Sequence, residues 1–171
     1  GIGASTAIEL SKLGTTITLL ARDKDSLANV LDSLDTSKKQ NHNFIIADFD
    51  DPFKLKDTID QHIAKNPTIH ILINNSGGPK PGPIVDANVE DFISAFNRHL
   101  ICNHILVQAV VPKMKEARFG RIINITSTSV KQPIKGLGIS NTIRGAVANW
   151  AKTLSFELGE FGITVNNILP G

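Results

Sequence analysis

The chain has 171 residues, 41% of them hydrophobic and 20% charged, which suits one soluble globular domain long enough to bury a core. Lysine and arginine number 18 against 16 aspartates and glutamates, and they are scattered, so no electrostatic footprint for nucleic acid or an anionic membrane exists. The single cysteine, Cys102, has no internal disulfide partner, no stretch approaches the roughly 18 consecutive apolar residues of a membrane span, and nothing reads as a signal peptide. A cytoplasmic protein without a metal site is expected.

In chain order, Ala4 to Leu13 carries Ala7, Ile8 and Leu10 at helical spacing, and Gly14 is placed to end that helix. Thr15 to Leu20 is β-branched and apolar, hence a strand. Asp23 to Leu34 is helical, with Leu27, Val30, Leu31 and Leu34 on one stripe. Asn43 to Ile46 is a short strand, and acidic Asp48 to Asp51 follows it. Pro52 suits a first helical turn, and that helix runs to about Lys65. Ile69 to Ile73 is a strand interrupted only by His70, and a Gly- and Pro-dense loop spans Ser76 to Pro83. A long helix is expected from Val89 to about Ala117, with Pro112 as the place for a bend. Arg121 to Thr126 is a strand, Ser140 to Leu158 a helix and Ile163 to Leu169 the last strand. Apolar strands alternating with helices specify an α/β fold whose parallel sheet is buried on both faces, within a single domain spanning 1–171. In such sheets ligands bind at the carboxyl ends of the strands.

Four segments fall at such ends. Gly1-Ile2-Gly3 opens a helix, where glycine lets the main chain approach a pyrophosphate and the helix N-terminus offers free N–H groups, although a plain turn explains it equally. Asn74-Asn75-Ser76-Gly77 follows an apolar strand and lets main chain lie flat against a ligand; such runs also make ordinary turns. Asn124-Ile125-Thr126-Ser127 places hydroxyls at the next strand end, where they also serve as local caps. Pro170-Gly171 closes the series.

In order and spacing these segments resemble the short-chain dehydrogenase/reductase family, in which T-G-x-x-x-G-x-G, N-N-A-G, I-S-S, Y-x-x-x-K and P-G succeed one another. The resemblance runs from the first residue to the last. It implies a Rossmann-type doubly wound parallel sheet with helices on both faces. It also implies a chain truncated at both ends, without the first strand and the final substrate-covering segment. If Ser127 is the family's catalytic serine, the tyrosine position is Ser140 and the lysine position is Arg144, a register supported by Leu154-x-x-Glu157-Leu158. The sequence contains no tyrosine, so no other register supplies one. The family's helix asparagine falls near His99, with Asn97 and Asn103 close by. Gly-Gly-Pro after the asparagine pair, with Ser-x-x-x-Arg, is similar to a divergent subgroup near the 3-oxoacyl carrier-protein reductases.

The substitutions change the chemistry. A tyrosine phenol beside a lysine cation donates a proton; an unassisted serine hydroxyl is far less acidic, and an arginine stays protonated. His99, with an ordinary pKa of about 6.5, is the nearby group able to supply a proton, or else a helix histidine hydrogen-bonded in the core. The resemblance implies NADP, with NAD possible, because Leu20-Ala21-Arg22 lacks the acid that binds a ribose 2′-hydroxyl and Arg22 suits a 2′-phosphate. Arg22 also reads as an exposed residue beside Asp23. Asp48 matches the family's adenine-contacting aspartate and equally suits an N-cap near Pro52. The expected function is reduction of a 3-oxoacyl-like carbonyl or oxidation of an alcohol, with a decayed dinucleotide-binding sensor or inactive oligomer partner as the alternative. The helix from Ser140 is apolar on several faces, as the family's subunit-contact helix is, so a homodimer or homotetramer is expected.

Overall fold

The computed structural model describes residues 1–66 and 68–171. It divides into two compact units, Gly1–Phe49 and Asp50–Gly171.

In the amino-terminal unit, α1 (Ile2–Lys12) leads to β1 (Thr18–Ala21), α2 (Lys24–Asp32) and β2 (Asn43–Ile46). Gly14, at φ +93°, turns the chain out of α1 through the left-handed region that glycine tolerates. The strand expected from Thr15 starts only at Thr18, because Thr15 N–H is drawn back to the Leu10 carbonyl and Ile17 N–H donates to His42 Nδ1. Asp23 caps α2 by accepting from Ser26 N–H. β1 and β2 pair in parallel, Thr18 opposite Asn43 through Ala21 opposite Ile46, with α2 as the crossover. Ala7, Ile17 and Leu34 form the buried core, so α1 and α2 both put an apolar stripe onto β1.

The carboxyl-terminal unit begins with α3 (Pro52–Lys65), whose proline occupies the first turn and whose cap is Asp51, accepting from Lys54 N–H. Asp48 is therefore not the N-cap of this helix. β3 (Ile71–Asn74), β4 (Gly120–Ile125) and β5 (Ile163–Ile168) follow, paired in parallel in the order β3-β4-β5. The long helix expected over Val89–Ala117 is divided. α4 (Val89–Phe96) passes through a π-helical segment, Asn97–Ile101, into α5 (Cys102–Ala117), so the interruption lies at His99, while Pro112 sits within α5. Arg118 in left-handed conformation ends α5, and α6 (Gly138–Leu158) is the last crossover. Val107, Val110, Met114, Ile122, Leu158 and Ile163 make the core between α5, α6 and the sheet. Gly120 is needed there, since a Cβ would lie 2.6 Å from Met114 Sδ. Among the described residues no helix is long and apolar enough to cross a membrane.

Candidate active site

The amino-terminal unit places its three candidate segments at helix or strand ends. Gly1 is the N-cap of α1, and Ser5 N–H already donates to its carbonyl, so the helix opens directly from Gly1-Ile2-Gly3. Arg22 is exposed immediately after β1, and Asp48 is exposed two residues after β2. Both strands run parallel, so Arg22 and Asp48 share the carboxyl edge of this sheet.

In the carboxyl-terminal unit a row of asparagines crosses the sheet. Asn74, Asn124 and Asn167 are register partners on β3, β4 and β5. Asn74 Nδ2 donates to Asn124 Oδ1 at 2.8 Å, and Asn124 Nδ2 donates to Asn167 Oδ1 at 3.1 Å. This ladder makes a polar floor under the strand ends and leaves Asn74 Oδ1 buried with no partner. An unmet buried acceptor costs about 1–3 kcal/mol, so this oxygen is a point of strain in the floor. Beyond the floor, Asn75 and Gly77 are exposed, Ser76 is half-buried, and a Cβ on Gly77 would meet open space.

Ser127 follows β4 in extended conformation, and its Oγ accepts from Ser129 N–H at 3.1 Å. That is the local turn role, and it leaves the hydroxyl hydrogen available for another acceptor. Pro170 sits beside it, since Thr128 N–H donates to the Pro170 carbonyl at 3.0 Å, and a Cβ on Gly171 would lie 3.8 Å from the Thr128 methyl. Ser140 and Arg144 lie one turn apart on α6, which packs against the short turn Thr128–Val130. Arg144 is buried and its Nη1 donates to the Ile125 carbonyl at 2.9 Å. Burial pulls its pKa below the usual guanidinium value, yet an arginine remains a cation at any ordinary pH.

His99 lies in the π segment and is 1% exposed. Its Nδ1 is 2.8 Å from Ser76 Oγ, while its Nε2 is buried without a partner. Burial, followed by the charges of Arg144 and Arg98, depresses its pKa to about 3. The ring is therefore neutral at working pH and is not the charged proton source that its ordinary pKa suggests. Arg98 itself is held by Asp50, donating from Nε at 3.0 Å. The asparagine ladder and the Ser76–His99 contact escape sequence reading. Asparagine recurring at each strand end was visible, but the register that stacks the amides was not.

A cleft of about 210 Å³ opens in the same unit, lined by Lys80, Gly82, Asp86, Asp91 and Ile139, the neighbour of Ser140. Gly82 and Gly138 hold its walls together, with Gly82 N–H donating to the Gly136 carbonyl and Gly138 N–H to the Gly82 carbonyl.

The family model described as short chain dehydrogenase matches residues 1–171. The chain is 31% identical to hydroxysteroid dehydrogenase-like protein 1 of Gallus gallus over 99% of its own length and 52% of that protein's. It is 30% identical to the 3-oxoacyl-(acyl-carrier-protein) reductase FabG of Rickettsia felis, covering all of this chain and 68% of that one. Among solved structures, L-sorbose reductase from Gluconobacter frateurii, in complex with NADPH and L-sorbose, superposes with a TM-score of 0.92 at 27% identity, over 100% of this chain and 65% of that one. The chain thus spans between about half and two thirds of the length of these relatives. The α/β fold expected from the alternating pattern is the Rossmann-type fold these structures share.

Proposed function

The chain belongs to the short chain dehydrogenase family, and from that premise we propose that it is an NADP-dependent oxidoreductase reducing a carbonyl or oxidising an alcohol through a non-standard active site. The carrying observation is the gathering of Asn74, Ser127, Arg144 and Pro170 at the carboxyl edge of β3-β4-β5, where open α/β sheets receive their ligands. The relative with NADPH in its structure supports the choice of nucleotide.

Each unit by itself carries residues that suit part of a dinucleotide. In Gly1–Phe49, the glycine-bearing helix N-terminus at Gly1-Ile2-Gly3 suits a pyrophosphate, Arg22 a 2′-phosphate and Asp48 an adenine amine. In Asp50–Gly171, the unpaired Asn74 Oδ1 and the bare Gly77 suit the nicotinamide end, with Asn75, Ser76, Pro170 and Gly171 beside it. When bound, the nicotinamide supplies or accepts the hydride. The chain's own contribution is positional and electrostatic. Ser127 and Ser140 hydrogen-bond the substrate oxygen, and the Arg144 cation stabilises negative charge developing on it. No side chain here replaces the tyrosine phenol as a proton donor, so the proton on the product oxygen comes from water. The loss of general acid assistance typically slows such a step by about 10²–10⁴-fold. A 3-oxoacyl-like substrate, a cytoplasmic setting and a homodimer or homotetramer through α6 complete the reading.

The test is a fluorescence titration of the protein with NADPH and with NADH. Tight NADPH binding, weak NADH binding and loss of that preference in Arg22→Ala support the assignment. Binding of neither nucleotide rejects it. A second reading, a dinucleotide-binding protein that has lost turnover, is favoured by the absence of any tyrosine and by the depressed pKa of His99. It predicts nucleotide binding with no reduction of any carbonyl in a broad panel.

A further inference from the structure

We propose that Ser76 donates a hydrogen bond to the reacting carbonyl oxygen, with His99 as the positioning residue that aims its hydroxyl. The inference rests on the oxidoreductase reading above and adds a third hydroxyl to Ser127 and Ser140.

The argument starts from the two ring nitrogens of His99. Nδ1 lies 2.8 Å from Ser76 Oγ, and Nε2 is buried without any partner. In a neutral imidazole one nitrogen carries hydrogen and the other a lone pair. The charged groups that act on this ring are Arg144 from α6 and Arg98 from the π segment itself, and both oppose a positive imidazole. Arg98 is in turn paired with Asp50. A neutral ring thus has two tautomers available. With hydrogen on Nε2, a buried N–H would lack an acceptor; with hydrogen on Nδ1, only a lone pair goes unmet. Orphaned buried N–H groups are the rarer and costlier of the two. The favoured ring donates from Nδ1 to Ser76 Oγ.

That direction fixes what Ser76 does. A serine hydroxyl has one hydrogen and two lone pairs. Once a lone pair is occupied by Nδ1–H, the hydroxyl hydrogen must point away from the ring. Ser76 is half-buried and lies two residues beyond Asn74, which is in register with Asn124. Two residues beyond Asn124 comes Thr126, and then Ser127. Ser76 thus lies in the loop just past β3 and against His99, the ring on which the Arg144 charge acts, so its hydroxyl belongs to the same cluster as the Arg144 cation. The π segment explains how a histidine reaches this place. The wider turn over Asn97–Ile101 carries His99 while the helix on either side stays α-helical.

Two measurements on the intact protein decide the matter. The first is ¹⁵N-histidine NMR from pH 5 to 8, with the His99 signals assigned by their loss in His99→Asn. The expected result is a neutral Nδ1–H ring that does not titrate in this range and loses its fixed tautomer in Ser76→Ala. The second is turnover of NADPH with 2,3-butanedione as the carbonyl probe, beside NADPH titrations of each variant. Ser76→Ala is expected to lower kcat at saturating NADPH by about 10²-fold, as removal of one oxyanion-directed donor does, and its NADPH titration separates that loss from any change in nucleotide binding. Ser76→Thr, which keeps a hydroxyl, retains most of the rate. His99→Asn loses as much as Ser76→Ala, and the double variant loses no more, since one residue acts through the other. An Nε2–H ring overturns the aiming by His99. A Ser76→Ala enzyme with unchanged kcat, or a Thr variant as slow as Ala, overturns the donor role. No turnover by the wild-type protein, with NADPH bound, overturns the reaction and the donor role together but leaves the ring measurement intact.

Discussion

The two units differ in how far their buried polar groups are paired. In Gly1–Phe49 Asn43 Oδ1 is unmet, but the groups around Ser11 and His42 are saturated. Ser11 is fully buried, yet its Oγ donates to the Ile8 carbonyl and accepts from Asp35 N–H, while its own carbonyl accepts from Gln40 Nε2. His42 has both ring nitrogens engaged, one by Ile17 N–H and one by the Asp35 carbonyl. In Asp50–Gly171, Asn74 Oδ1, His99 Nε2 and Ser129 Oγ are buried and unmet. A saturated network holds a chain in place, whereas unmet buried groups cost stability and lie in this unit on β3, in the π segment and in the turn after β4.

The widest expected effect sharpens this contrast on the functional side. Ser140→Tyr with Arg144→Lys restores a phenol beside a lysine and is expected to raise carbonyl turnover by about 10²-fold or more, measured as NADPH oxidation. An unchanged rate favours the binding-only reading. On the stability side, Ile122→Ala empties a fully buried site in the β4 core and is expected to cost about 2–5 kcal/mol in a denaturant melt. Trp150, the one tryptophan, packs against this core and reports the loss by its fluorescence.

A direct comparison of the two networks comes from paired variants. Asn124→Ala removes the middle of the amide ladder and strands Asn74 Nδ2 and Asn167 Oδ1, at about 1–3 kcal/mol. Ser11→Ala costs a similar amount in melts, but only Asn124→Ala is expected to weaken NADPH binding. Equal effects of both on binding would break the distinction between the units.

The pH dependence offers another test. His99 has a folded pKa of about 3 against an ordinary 6.5, so the unfolded chain takes up its proton first as pH falls. Its contribution to stability is complete above about pH 6.5 and is lost as the pH falls towards 3. In His99→Asn the stability profile is expected to flatten in that window. The smallest effect is at a helix end: Asn88 caps α4 by accepting from Asp91 N–H at 2.7 Å, and Asn88→Ala is expected to cost about 1 kcal/mol without altering turnover.

The legible part of this protein lies in its periodicities. Apolar runs such as Ile122-Ile123 and Thr18-Leu19-Leu20, set between helical stripes, specify parallel strands because only a sheet covered by helices buries them. Motif order puts Asn74, Ser127 and Pro170 at the ends of successive strands, since chain order dictates which strand end each segment follows, and puts Ser140 and Arg144 on one helix. Local hydrogen bonding was less legible. Asp48 reads on paper as an N-cap near Pro52, but the cap is Asp51, because its side chain reaches Lys54 N–H.

What the tertiary structure alone decided is electrostatic and directional. The sequence offers His99 as a titrating group on a continuous helix. Packing puts it in a π segment, 1% exposed, near two arginines distant or unremarkable in the chain, and so removes its charge. Likewise, no spacing rule stacks Asn74, Asn124 and Asn167, which lie far apart in sequence and meet only through strand register. Periodicity is a local property of the chain and can be read from it. Burial, register and the neighbours of a charge are set by residues from other strands and helices, and exist only once the chain has folded.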